Sequence, residues 1–191
     1  MKVTAICGSA RKGGNTAAIM GMVLGELNAR GIETELIELY DKELHPCEGC
    51  FSCRGKGVCT AIRDDFDPVF KAMLASEGVL LGSPVYSADV SAKMKAFIER
   101  AGIVVSTSPG LLKHKVCASV AAVRRGGGLA AVDTLNHFFL NKEAILVGST
   151  YWNMVYGREI GEVLNDEEGV KNMKNLGQNM AWVLKRVWQQ G

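Results

Sequence analysis

No stretch of this sequence is apolar for long enough to cross a membrane, no block of like charge stands out, and no internal repeat or low-complexity tract interrupts it. The first absence excludes a membrane-spanning helix, which needs about 20 consecutive apolar residues. The second removes the usual reason to expect a nucleic acid or an anionic lipid surface as partner, because 22 basic side chains are offset by 20 acidic ones and the formal charge is +2. The N-terminal stretch goes straight into a strand with a single Lys2 and no long apolar segment, so the expectation is a soluble cytoplasmic protein. With 191 residues, 48% of them apolar, one domain spanning 1–191 with a sizeable core is expected.

Several nucleotide fingerprints are missing as well, and their absence narrows the reading of the loop Gly8-Ser9-Ala10-Arg11-Lys12-Gly13-Gly14-Asn15-Thr16. The loop joins the apolar run Val3 to Cys7 to a segment where Ile19, Met22, Val23 and Leu27 recur at helical spacing. No Lys-Ser or Lys-Thr pair closes it, which excludes a P-loop, and Gly8-Ser9-Ala10 breaks the dinucleotide pattern. A phosphatase loop would follow its cysteine with an arginine cradling the phosphoryl group, and Gly13 stands in that place. A small-residue loop between a strand and a helix start is nonetheless an anion site, because backbone N–H groups and the positive helix end converge there. Ser9 and Thr16 supply hydroxyls, Asn15 an amide and Arg11 a charge, while Gly14 admits close approach. A phosphate that is bound and not cleaved is what remains, and the monophosphate of FMN fits. The alternative is an ordinary turn between strand and helix.

Along the chain, strands alternate with helices five times. Residues 32–39 alternate as an edge strand, and the runs 78–82 and 116–123 are apolar throughout, as in strands buried on both faces. Ala144 to Gly148 forms the fifth strand. Helices are expected from about Asp65, around Met94 and Phe97, around Leu135, and from Met173 to Val187; on the third helix Lys93, Lys95, Glu99 and Arg100 fall to the polar side. This pattern predicts an α/β three-layer sandwich with a five-stranded parallel sheet of flavodoxin-like order 2-1-3-4-5 and helices on both faces. Ligands then sit beyond the strands' carboxyl ends, beside the first strand. The loop Ser83-Pro84-Val85-Tyr86 and the loop Arg124-Arg125-Gly126-Gly127-Gly128 reach the same edge. Pro84, Val85 and Tyr86 are expected along the flavin ring, with Arg124, Gly126 and Gly127 joining them.

Four of the six cysteines crowd the aperiodic loop 45–63, at Cys47, Cys50, Cys53 and Cys59. The Cys-x-x-Cys-x-x-Cys spacing lets a short loop wrap the corners of an iron–sulfur cube, with Cys59 as the fourth ligand and Arg54 and Lys56 offsetting its charge. A four-thiolate zinc, a redox-active pair and metal-free thiols are the competing readings. Cys7 and Cys117 fall within strands as small buried residues, and His45, His114 and His137 show no partner.

These motifs, together with Asp64-Asp65-Phe66, resemble those of the iron–sulfur flavoproteins, within the larger family of NAD(P)H-dependent FMN reductases. The resemblance implies non-covalent FMN and a [4Fe–4S] cluster exchanging electrons with it. It also implies a homodimer or homotetramer in which the cluster of one subunit approaches the flavin of another. Ala10 departs from a proline frequent in that loop, and Arg124-Arg125-Gly126 from a loop that more often begins Gly-Gly-Ser. The expected activity is an FMN-dependent oxidoreductase, needing no catalytic acid or base. Ferredoxin or NAD(P)H is the donor, and a quinone, an oxygen species or free flavin the acceptor. A reductase without a cluster and a non-enzymatic carrier or redox sensor are the alternatives. Phe51, Tyr151, Trp152, Met154 and Tyr156 are the expected subunit interface.

Overall fold

The computed structural model describes residues 1–188, and the last residue of the closing helix face expected from the sequence, Val187, lies within them. The elements are β1 (Lys2–Cys7), α1 (Asn15–Asn28), β2 (Glu33–Glu38), α2 (Phe66–Ala75), β3 (Gly78–Pro84), α3 (Ala92–Ser106), β4 (Val116–Val123), α4 (Gly128–Leu140), β5 (Ile145–Leu146), β6 (Met154–Tyr156) and α5 (Glu167–Trp188). A short 3₁₀ turn, Glu162–Asn165, precedes α5. The strands pair in parallel in the order β2-β1-β3-β4-β5, as the alternation predicts.

One correction concerns the strand count. β5 pairs with β4 only at Val116↔Ile145 and Cys117↔Leu146, and then leaves the sheet. A sixth strand fills the same edge position further along, with Ala121↔Met154, Ala122↔Val155 and Val123↔Tyr156. The fifth place in the sheet is thus shared by two short parallel strands. Met154 is buried there, and so belongs to the core and not to an exposed interface.

The two helical layers bury separate apolar faces. On one side Ile19, Met20, Val23 and Leu27 of α1 meet Met173, Leu176, Met180 and Leu184 of α5 over Val3, Ala5 and Leu80. On the other, Phe66, Phe70, Phe97, Leu135 and Phe139 from α2, α3 and α4 cover Ile6, Val79 and Leu81. Each such side chain contributes about 1.5–3 kcal/mol when fully buried. β3 and β4 are covered on both faces, which is why they read as continuous apolar runs. β2, at the edge, is half-exposed and carries glutamates, with Lys2 Nζ 2.8 Å from Glu35. Such charges blunt pairing with another chain.

α1 lies on one face and α2 to α4 on the other, so the connections diverge beside β1, where a crevice opens at the carboxyl ends of the strands.

Candidate functional site

The crevice is walled by four segments, each leaving a strand at its carboxyl end. Ser9, Arg11, Asn15 and Thr16 come from the β1–α1 loop and first turn of α1, and Pro84, Val85 and Tyr86 from the end of β3. Ala122 and Arg124 follow from β4, and Gly157, Arg158 and Glu159 from β6. The cavity measures about 410 Å³, within the range of about 300–1,000 Å³ common for small-molecule and cofactor sites.

The phosphate-loop geometry is set locally. Ser9 Oγ accepts from the Arg11 N–H at 3.0 Å and donates to the Arg11 carbonyl at 3.1 Å, closing a tight turn. Gly13 takes a left-handed φ of +57°, and its N–H donates to Glu38 Oε2 at 2.9 Å, tying the outer side of the loop to β2. Gly14 caps α1 without a side-chain acceptor, and the first turn holds no acidic residue. The leading N–H groups of α1 are therefore left for an incoming anion, in the positive field of the helix end. Thr16 is 1% exposed in that first turn. Arg11 and Arg124 are exposed and in no ion pair among the described residues, whereas Arg158 Nε lies 3.1 Å from Glu159. An anionic group of nucleotide size fits this set of donors.

The structure gives five of the sequence-derived site residues a more particular place. Asn15 lines the cavity, but its amide is engaged: Nδ2 donates to the Glu159 carbonyl at 2.8 Å and Oδ1 accepts from the Gly161 N–H at 2.8 Å. Its task is to hold the segment after β6 against the phosphate loop. Gly14 acts as the helix cap and is not on the cavity wall. Gly126 and Gly127 face a neighbouring cavity of about 330 Å³ that includes Tyr151, Trp152 and Tyr156. Gly127 is required there by its φ of +84°, and a Cβ would stand 2.8 Å from Ala88 Cα. Tyr86 sits at the rim, its backbone doubly bonded to Asp89 across a turn in which Ser87 and Ala88 both have left-handed φ. Arg158, which sequence reasoning missed, depends on β6; the signal was the Gly157-Arg158 pair directly after an aromatic run.

The cysteine loop does not stay at the β2 edge. It packs along the C-terminal half of α3, and just past that helix Gly55 N–H donates to the Thr107 carbonyl at 2.9 Å and Gly57 N–H to Ser108 Oγ at 3.0 Å. Cys47, Cys50, Cys53 and Cys59 all line one small cavity of about 20 Å³, together with Arg100, Ile103 and Val104. All four are free thiols. Cys53 is buried with Sγ 3.6 Å from Thr107 Oγ1, and Cys50 is exposed with Sγ 3.3 Å from Ser52 Oγ. That hydroxyl and nearby backbone hold the Cys50 thiol below its usual range. The volume is about that of one water, and among the described residues no three His, Cys, Asp or Glu side chains converge as a ligand set. Cys7 and Cys117 are fully buried in strands, and burial pushes the Cys7 thiol up to about 12 and raises that of Cys117 as well. They are inert core residues.

Arg100 is the residue beside the thiols that sequence reasoning misplaced. It is 1% exposed, not on the solvent side of α3. Its Nη1 donates to Asp64 Oδ2 at 2.5 Å and, more weakly, to the His45 carbonyl at 3.4 Å; Nη2 donates to the Ile62 carbonyl at 3.2 Å. Its guanidinium lies 4.3 Å from the Phe66 ring centroid. Nε is buried with no hydrogen-bond partner. Burial disfavours the charge, but the Asp64 bond and the adjacent Cys59 more than restore it. Lys93, also read as solvated, donates to the carbonyls of Leu39, Tyr40 and Lys42 at 2.7–3.0 Å. His45 does have a neighbour, Glu43, at 3.1 Å.

The chain is similar to known proteins. A family model described as NADPH-dependent FMN reductase matches residues 1–159. The chain is 38% identical over 194 residues to an iron–sulfur flavoprotein of Methanocaldococcus jannaschii, spanning 98% of this chain and 99% of that protein. It is 34% identical over 150 residues to an iron–sulfur flavoprotein of Methanosarcina thermophila, spanning 78% of each. Among solved structures, a flavodoxin from the domain Archaea superposes with a TM-score of 0.64 at 14% identity, covering 97% of this chain and 99% of that one; this likeness concerns the fold.

Proposed function

Because the chain belongs to the NADPH-dependent FMN reductase family, we propose that this flavin-dependent oxidoreductase holds FMN in the crevice and a [4Fe–4S] cluster on the four-cysteine loop. The observation that carries the reading is the 410 Å³ cavity in which an uncapped helix N-terminus faces arginines from three different loops. Cofactors of this kind bring the redox chemistry, two-electron exchange for the flavin and one-electron relay for the cluster, while the protein binds and orients them.

In this reading the first turn of α1 and Thr16 take the phosphate, Ser9 shapes the turn that presents them, and Arg11 adds charge at its exposed side. Pro84, Val85 and Tyr86 lie along the ring, and Arg124 and Arg158 close the crevice from the far loops. Asn15 acts indirectly by holding the Arg158 segment in place. The four thiols on one wall supply the soft donors that iron–sulfur clusters take, and the names of the two archaeal relatives support that assignment. Ferredoxin or NAD(P)H delivers electrons, and a quinone or an oxygen species receives them.

Two features support an assembly of more than one subunit. Ser91, just before α3, donates to the carbonyl of Gly8 at the start of the phosphate loop, while Arg100, at the cysteine cavity, lies nine residues further along, roughly 14 Å along the helix axis. A second subunit would bring a cluster nearer to each flavin. Phe51, Tyr151, Trp152 and Tyr156 are all about half exposed, and Tyr151 and Trp152 pack edge to face at 4.5 Å. Such patches suit a homodimer or homotetramer.

The test is protein purified without oxygen. It should release FMN and not FAD, contain iron and acid-labile sulfide in equal amounts, and reduce a quinone at the expense of reduced ferredoxin or NAD(P)H. FAD, or no flavin affinity, would overturn the crevice assignment. A second reading, a cluster-free NAD(P)H-dependent FMN or quinone reductase, is favoured by the lack of a converged ligand set among the described residues. Full turnover by iron-free protein would select it.

A further inference from the structure

We propose that Arg100, held by Asp64, is the positioning and charge-compensating residue of the four-cysteine site, closing the neck of the loop and offering its unpartnered Nε–H to the sulfur ligands. This rests on the reading of that loop as a cluster site.

Two independent features of the structure support it. The first is what the guanidinium holds. Its acceptors, the carbonyls of His45 and Ile62 and the carboxylate of Asp64, lie at the two ends of the segment that contains all four cysteines. Asp64 reinforces the closure by accepting from the His45 N–H at 2.8 Å and the Phe66 N–H at 3.1 Å. Thus one side chain of α3, 1% exposed, joins the entry and exit of a loop that has no regular secondary structure of its own.

The second feature is what is left over. A guanidinium has five N–H donors, and burying one without a partner carries a desolvation cost. Nη1 and Nη2 are bonded to loop atoms, whereas Nε is buried and unpartnered in a residue that shares a cavity with Cys47, Cys50, Cys53 and Cys59. Four neutral thiols do not call for a buried cation. Thiolates bound to iron and sulfide do, because the assembly is anionic and becomes more so on reduction. A positive donor on that side stabilises the reduced form over the oxidised one, whereas Asp64 acts in the opposite sense.

The experiment measures the reduction potential of the cluster by an EPR-monitored titration of holoprotein reconstituted with iron and sulfide, with FMN content as the folding control. Arg100→Gln should lower the reduction equilibrium constant about tenfold, about 59 mV for one electron, and should retain iron less well. Asp64→Asn should shift the potential upward. Arg100→Lys, which keeps the charge and loses the fork, should hold the potential near the wild-type value but lose iron faster to a chelator. Equal iron loss in all three variants with no shift in the remaining cluster would reduce Arg100 to a structural clamp and overturn the proposal. So would shifts of the same sign in Arg100→Gln and Asp64→Asn. Should Arg100→Gln fail to fold, the sign of the Asp64→Asn shift and the Arg100→Lys comparison decide the matter. Wild-type protein that takes up no iron and sulfide would overturn the cluster reading itself, and with it this role.

Discussion

The assignment of the β1–α1 loop to a phosphate can be tested by asking which of two donors matters more. Thr16 is 1% exposed in the first turn of α1, whereas Arg11 is exposed on the loop. A hydrogen bond to a charged group contributes about 1.5–3 kcal/mol, so Thr16→Val, which keeps the shape, should weaken FMN binding about 10- to 150-fold. An exposed ion pair contributes about 0.2–1 kcal/mol, so Arg11→Ala should cost no more than about fivefold. Salt separates the two further. The screening length falls from about 10 Å at 0.1 M to about 3 Å at 1 M ionic strength, so the Arg11→Ala deficit should fade in high salt while that of Thr16→Val persists. Flavin fluorescence titration of apoprotein measures both, and riboflavin, which lacks the phosphate, is the control. Neither variant should change riboflavin affinity. If Thr16→Val weakens riboflavin and FMN alike, the residue supports the fold and not the phosphate; if Arg11→Ala costs more than Thr16→Val, burial does not set the order of the two contributions.

Four further outcomes follow from packing and charge. A Cβ on Gly8 would lie 2.6 Å from Met94 Cβ and 3.1 Å from Ser91 Oγ, so Gly8→Ala should lower unfolding stability by about 1–3 kcal/mol; an unchanged denaturant midpoint would mean that α3 moves freely. Ser91→Ala should cost about 1 kcal/mol for the lost cap on the Met94 N–H, together with the bond to the Gly8 carbonyl. Burial pushes the Asp64 carboxyl up, but the Arg100 bond and the His45 and Phe66 N–H donors hold it below its ordinary value. Its stabilisation is therefore present above the unfolded carboxylate value of about 3.9 and is lost as pH falls through the lower folded value. Wild-type stability should fall more steeply than that of Asp64→Asn in urea unfolding below about pH 4, and parallel profiles would contradict the shift. Trp and Tyr dominate interface hot spots, each worth about 2 kcal/mol or more. Tyr151→Ser with Trp152→Ser should accordingly weaken assembly about thirtyfold or more in sedimentation; unchanged association would place the interface elsewhere.

What the sequence revealed of the fold was what local pattern controls. Continuous apolar runs at 78–82 and 116–123 announced strands covered on both faces, and long helical connections required them to be parallel. β6 was not legible because three residues carry no period, and because its residues fall in an aromatic stretch that also suited an interface. Its cause is non-local. β5 leaves the sheet after Leu146, so the outer edge of β4 at 121–123 would have backbone groups without partners, and buried backbone groups are almost always paired. Arg158 escaped notice for the same reason, since its approach to the crevice depends on a strand that only the sheet could show. The loops at 8–16 and 83–86, by contrast, meet at one edge simply because parallel strands share a direction.

Arg100 was hidden for a different reason. It follows Phe97 by three residues and precedes Val104 by four, so it borders the apolar stripe of α3, yet its neighbours Lys95 and Glu99 made it read as part of a solvated face. The cysteine loop buries it, and that loop has no periodicity from which a position could be inferred. The string Asp64-Asp65-Phe66 had marked the place without explaining it. In the structure each of the three has a task at the base of the loop. Asp64 binds the guanidinium. Asp65 accepts from the Glu43 N–H at 2.8 Å, and its own N–H donates to the Glu43 carbonyl at 3.0 Å. Phe66 presents its ring to the guanidinium and packs against Phe70 and Phe97. A buried cation is tolerated only where its partners are arranged around it, so the acidic pair, the aromatic ring and the arginine 36 residues further on form one structural unit. The four cysteines hang from that unit, and the position of their loop on α3 depends on it.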